Sequence, residues 1–266
     1  MVATAETASG LSVLDEPPTL RAFGRDLADL DCDFQTGYRL VLAAAIVAAC
    51  ASENADAVLA LPVSARVARL LRIAQLTTDA DALLVALKCS AAECGRALEV
   101  SVSFERLLEV SASESSLRAS IPDGAELQLR RPTGRDQLAW RAENFRTQRE
   151  ALAQVVQTLT ISAPAAVEYD DAAIAALAAA MEEFDPLTAF RVLTACPHCG
   201  LESVFAIDLE AEALRLLATH SRTLIREVHA LATQYGWTEA EIIGLSPRRR
   251  AHYLQLIAET SGALSP

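Results

Sequence analysis

Apolar positions along this chain recur with two periods, and the change from one to the other happens twice in the same way. Gly37 to Ala51 is apolar on nearly every face and reads as a buried helix. Val67, Leu70, Leu71 and Ala74 then recur at helical spacing, with Ser64 placed to cap that helix. An apolar segment opened by Asp81 leads to Cys89-Ser-Ala-Ala-Glu-Cys94-Gly95, and Ala97 to Val102 alternates with the period of a strand. A short helix over Phe104 to Val110 closes this half. After residue 184 the order repeats: a segment opened by Asp185-Pro186, then Cys196-Pro-His-Cys199-Gly200, an alternating strand over Ser203 to Asp208, and a helix.

Between the two repeats, Leu117 to Ile121 and Glu126 to Arg130 flank Pro122-Asp-Gly124, the turn chemistry of a β-hairpin. Pro132-Thr-Gly134 ends the second strand and opens one long helix through Leu159. Asp170 caps an alanine-rich helix ending near Phe184. At the C-terminus, Leu209 to Tyr235 reads as a single helix carrying Leu216, Leu217, Leu224, Val228 and Leu231, with Gly236 as its stop. Thr238-Glu-Ala-Glu241 is a capping box, and Ser246-Pro247 supplies an N-cap with proline at the first helical position. The expected class is mainly α with minor β. Two related helical units, 36–112 and 113–260, each carry a cysteine-knuckle hairpin, the second adds a C-terminal helical hairpin, and residues 1–35 form a poorly ordered N-terminal segment.

Composition narrows the reading. At 266 residues and 52% apolar, the chain is long enough to bury more than one small core. Its net charge of −12 repels a phosphate backbone, which disfavours nucleic acid as a partner. The exception is local: from Arg215 to Ile257 there are six arginines against three glutamates. Lys88 is the sole lysine, so arginine in fixed ion pairs and interfaces dominates the positive charge. The start lacks a basic region followed by an apolar core, and the most apolar run, Leu40 to Ala51, falls short of the about 20 residues that a bilayer span needs. A cytoplasmic, soluble protein is expected, whether free or incorporated into a released particle. In that setting clustered cysteines point to metal more than to disulfides.

Two thiolates at a tight turn with glycine directly after are half of a structural zinc site, and two such turns close a tetrahedron. Cys89, Cys94, Cys196 and Cys199 are therefore the candidate ligands for one structural Zn2+. Closure requires the two chain halves to pack face to face. The competing reading keeps the same cysteines as small buried apolar residues of a duplicated hairpin, and a thioredoxin-like pair is disfavoured because a strand, not a helix, follows Cys199. Neither a glycine-rich phosphate loop, a Gly-x-Ser-x-Gly elbow nor a His-Glu-x-x-His motif occurs, and His198 in mid-knuckle is expected to face solvent. Cys32 and Cys50 read as unpaired. Tyr235, Trp237, Arg248, Arg249, Arg250 and Tyr253 combine aromatics with arginine on one helical hairpin, the composition of a protein–protein hot spot. The plainer alternative puts Trp237 and Tyr253 into packing and the arginines on a solvated helix start.

These same residues carry a resemblance. The stretch Leu224-Ile-Arg-Glu-Val-His-Ala-Leu-Ala-Thr-Gln-Tyr-Gly-Trp-Thr-Glu-Ala-Glu-Ile-Ile-Gly-Leu-Ser-Pro-Arg-Arg-Arg-Ala-His-Tyr-Leu254 resembles the C-terminal signature of T-even-type baseplate hub assembly chaperones, found with contractile phage tails and related extracellular contractile injection systems. Leu129-Arg-Arg-Pro-Thr-Gly-Arg-Asp-Gln137 is similar to that family's Arg-Pro-Thr-x-x-Asp opening. Leu61 to Leu71 followed by the first knuckle resembles its first half, except that a two-residue cysteine spacing is more usual there. The resemblance spans about residues 37–258. It implies a non-enzymatic assembly chaperone or adaptor that holds a baseplate, hub, spike or tape-measure subunit. The alternative from another class is a zinc-ribbon nucleic-acid-binding or regulatory protein using the arginine patch.

Overall fold

The computed structural model describes residues 19–23, 39–110, 116–164 and 169–262. In chain order these form α1 (Arg39–Ala51), α2 (Ala55–Ala60), α3 (Val63–Thr78), β1 (Ala82–Lys88), β2 (Ala97–Ser103), α4 (Phe104–Glu109), β3 (Ser116–Ser120) and β4 (Glu126–Arg130). There follow α5 (Gly134–Ala142), α6 (Gln148–Leu159), β5 (Thr160–Ser162), α7 (Asp171–Phe184), β6 (Arg191–Ala195), β7 (Glu202–Ala206), α8 (Leu209–Tyr235), α9 (Glu239–Gly244) and α10 (Pro247–Gly262). The class is α+β: mostly helix, with an antiparallel three-stranded sheet β3-β4-β5 and two separate two-stranded hairpins. Among the described residues no helix is long and apolar enough to cross a membrane.

The two cysteine hairpins sit in units of one plan, α3-β1-β2-α4 and α7-β6-β7-α8. In each, the last residue before the second helix is its N-cap: the Ser103 hydroxyl accepts from the Arg106 amide, and the Asp208 carboxylate from the Ala211 amide. In each, a backbone amide at the end of the hairpin bonds to a carbonyl at its start, Phe104 to Asp81 at 3.1 Å and Ile207 to Phe190 at 2.9 Å. Alternation then turns Leu83, Val85 and Leu98 inward from the first hairpin, and half-buries Val192 and Phe205 on the second.

The largest core joins α1, α2, α3, β1 and α4 to the root of α8 through Leu209, Ala213, Leu214 and Leu217, so it draws on both sides of residue 112. A second core lies between the β3-β4 hairpin and α7, built from Ala119, Ile121, Leu127, Leu129, Ala173 and Leu177. Residues 19–23 dock on the first: Phe23 is buried, its amide donates to Thr77 Oγ1 at 2.7 Å, and Arg21 caps the Ala49 carbonyl at 3.0 Å. The rest of the N-terminal segment, Cys32 included, lies outside the described residues. Cys50 is unpaired and buried, and burial pushes its thiol up to about 11 against the opposing charge of Arg21.

Three local expectations change. The helix expected from Gly134 to Leu159 is two helices, because Thr147 caps a new start by accepting from the Glu150 amide while Glu150 reaches back to the Arg146 amide. Ser64 lies inside α3, whose N-cap is Pro62. Asp185 to Thr188 is a turn closed by the Thr188 amide on the Asp185 carbonyl, so β6 begins later, at Arg191. The turn at Pro122-Asp-Gly124, the Asp170 cap, the Gly236 stop and the Thr238–Glu241 capping box form as expected.

One ionic node ties the elements together. Arg66 on α3 is fully buried; its Nε and Nη2 donate to Glu210 Oε2 at 2.9 and 2.7 Å, and Nη2 also donates to Gln137 Oε1 at 2.9 Å. It thus fastens α3 to α8 and α5. Burial raises the Glu210 carboxyl above its ordinary range, opposed by Arg66. Gly134 leaves room for this guanidinium: a Cβ there would lie 2.7 Å from Arg66 Nη1 and 3.0 Å from the Leu59 carbonyl oxygen.

Removing Glu210 alone strands a buried charge, so Glu210→Ala is expected to cost about 3–5 kcal/mol in urea unfolding, whereas Arg66→Met with Glu210→Leu costs far less. A second expectation concerns pH. Arg130 donates to both oxygens of Asp136, at 2.6 and 2.8 Å, and this holds the Asp136 carboxyl at about 2, with help from Thr133. A depressed carboxyl stabilises the fold above its unfolded pKa, and that stability is lost as pH falls through the folded value. Asp136→Asn should therefore cost about 1–2 kcal/mol at neutral pH, allowing for solvent screening at the half-exposed arginine, and the gap to wild type should close between about pH 4 and pH 2.

Candidate metal centre

Each knuckle is made by its own backbone. Gly95 and Gly200 take positive φ, +54° and +75°, which turns the chain back immediately after the second cysteine. The Cys89 amide bonds to the Arg96 carbonyl and the Cys196 amide to that of Leu201, both at 2.9 Å, closing the hairpin across the turn. The wider first loop is taken up by a tight turn in which the Cys94 and Gly95 amides both bond to the Ala91 carbonyl at 3.1 Å. Four intervening residues thus still deliver two sulfurs to one side.

The four sulfurs lie within 4.8 Å of one another. Across the hairpins, Cys89 Sγ lies 3.6 Å from Cys199 Sγ and Cys94 Sγ lies 3.9 Å from Cys196 Sγ. The Ser90 and Ser203 hydroxyls touch at 2.7 Å across the same seam, and Arg96 Nη1 stands 3.4 Å from His198 Nδ1. His198 itself is exposed, as expected. Leu98 with Leu87, Ala91, Val100 and Phe205 forms a small apolar jacket around Cys89 and Cys196.

The electrostatics pull two of the thiols in opposite directions. Backbone amides of His198 and Cys199 donate to the Cys196 sulfur, and the first of these does most to hold that thiol down to about 7 against the effect of burial. The Ala91 amide pulls Cys89 the same way, but burial and the three neighbouring thiols outweigh it and push Cys89 up to about 12. Four thiols this close cannot all ionise unaided. A cation at their centre removes the conflict, and the four can hold a metal ion with one sulfur each.

The other candidate residues divide. Tyr235 stacks on Trp237 with ring centroids 4.7 Å apart, and Tyr253 meets both edge-on at 5.6 and 4.9 Å, so the three aromatics form one cluster at the far end of α8. Arg250 is buried: its Nε donates to Glu227 at 2.8 Å and its Nη1 to the Leu245 carbonyl at 2.7 Å, which pins α10 to α8. Arg248 and Arg249 are exposed beside it. Sequence reading missed the Ser90–Ser203 and Arg96–His198 contacts, which bridge residues more than a hundred positions apart and leave no local signal. Compared with family models, with curated proteins and with solved structures, the chain matches none.

Proposed function

We propose that this chain is a non-enzymatic assembly chaperone or structural adaptor for the baseplate hub of a phage-tail-like contractile particle, and that its cysteine cluster is a structural zinc clasp. The observation that carries the clasp is the spacing of the sulfurs. Zinc–sulfur bonds of about 2.3 Å make a tetrahedron with edges of about 3.8 Å, and the two cross-hairpin distances are 3.6 and 3.9 Å. Four protein ligands fill the coordination sphere and leave no position for substrate, which fits a structural rather than a catalytic ion. When bound, zinc supplies charge neutralisation and a cross-link; the chain's own part is to aim the sulfurs, donate amides to them and shield Cys89 and Cys196 with the apolar jacket, while Cys199 faces solvent.

The assembly role rests on the C-terminal resemblance, whose residues Tyr235, Trp237, Arg248, Arg249 and Tyr253 gather at the end of α8, away from the clasp. An aromatic cluster beside exposed guanidiniums is suited to a protein partner. Baseplate, hub, spike or tape-measure subunits are the candidates.

Metal analysis of the purified protein should find one zinc per chain, and Cys196→Ser should lose it with a fall in melting temperature of about 10 °C; a metal-free wild type of equal stability would falsify the clasp. Co-expression with the neighbouring tail genes should yield a stable complex with one of those subunits, weakened by Arg248→Glu with Arg249→Glu. Recovery of the protein always alone would overturn the assembly role.

A further inference from the structure

We propose that a slot between α6 and α7, a cleft at the root of α8 and the outward face of the β6-β7 hairpin form one docking track, and that its occupant is an extended amphipathic segment of a partner protein with bulky apolar side chains at its two ends. This deepens the assembly reading and rests on it only for the choice of native partners.

The cleft has a volume of about 810 Å³, with Leu40, Val67, Phe190 and Leu209 among its walls and Gln137 and Thr188 among its polar groups. It opens into an apolar slot of about 220 Å³ bordered by Leu152, Val155, Ile174 and Met181, and the two share Trp140, Glu182, Thr188 and Ala189. The slot has the size of one large aliphatic or aromatic side chain. At the other end, Arg191 and Ala206, directly paired across β6 and β7, line the cleft. The next pair on that face is Leu193 with Val204, about 7 Å further along the strands. These two side chains are 66% and 62% exposed.

The first unit shows that the hairpin plan does not require this bare pair. Leu193 stands three residues before Cys196 and Val204 five after Cys199; the residues in those places around Cys89 and Cys94 are Ala86 and Glu99, also paired across their strands. One hairpin therefore shows water a small residue and a carboxylate where the other shows two large apolar side chains.

The order apolar slot, long cleft of mixed polarity, apolar strip selects the occupant. Along the cleft rim, charges are already matched, Arg39 with Asp208 at 3.0 Å and Arg191 with Glu182 at 2.9 Å. A small charged metabolite would meet both signs there and leave the two apolar ends uncovered. A polypeptide segment has the length for all three parts, backbone donors and acceptors for the middle and side chains for the ends.

The test is a selection of displayed random peptides on the full-length protein, counter-selected on the Leu193→Glu/Val204→Glu double variant. In a Trp237→Phe background Trp140 is the sole tryptophan and reports from the wall of both cavities. Enriched peptides should carry bulky apolar residues at both ends of a middle of mixed polarity, shift Trp140 emission, and bind the double variant at least about tenfold more weakly, with metal content and melting temperature unchanged. Ala178→Met, which fills the slot, should weaken them as well. Absence of enrichment, or peptides indifferent to both variants, overturns the track. Purified hub, spike and tape-measure subunits form a separate arm: if none binds, the assembly reading falls and the peptide result still decides the track.

Discussion

Four sulfurs contributed by two hairpins lie within 4.8 Å of one another, and that contact joins the two units. Each hairpin can present only two, on the side fixed by its glycine turn, so neither unit completes a tetrahedron alone. The two units meet at these knuckles. Behind the hairpins, α8, which continues directly from β7, packs against α3 in the main core. There the buried Arg66 meets Glu210 and Gln137. The ionic node and the sulfur cluster are two fastenings of one contact, at opposite ends of the second unit's hairpin.

Much of this was legible along the chain, and what was legible was local. The capping residues, the Pro122-Asp-Gly124 turn, the Gly236 stop and the alternation of the strands next to the cysteines are decided within a few residues of where they act. The convergence of the cysteine pairs was an inference from chemistry: thiolates in pairs, each followed by glycine, need more sulfur than one pair supplies. The break within 134–159 was missed because Thr147 and Glu150 look like ordinary polar helix positions until the Glu150 side chain is seen returning to the Arg146 amide. Arg66 was invisible for a different reason. Nothing near it announces a buried charge, and Glu210 lies 144 residues away.

The C-terminal hairpin shows the limit of reading by composition. Three consecutive arginines look equivalent in the sequence, yet Arg250 points inward to Glu227 and the Leu245 carbonyl, while Arg248 and Arg249 face solvent. Helical geometry separates neighbours by about 100° and so gives adjacent identical residues different work. Likewise the aromatics contact one another first, and what they offer outward is the rim of a cluster. At 27 residues, or about 40 Å, α8 carries that cluster well away from the sulfurs.

Sharing one sulfur cluster between two hairpins of a single chain has a consequence of its own. Two identical chains meeting about a true two-fold axis must show every surface feature twice, since any substitution appears on both sides. Here both halves belong to one polypeptide, and each can change without the other: Ala86 and Glu99 on one side, Leu193 and Val204 on the other. The scaffold keeps the mechanical economy of a dimer yet has a distinguishable front and back. A partner that meets one hairpin therefore meets a surface that the other does not offer.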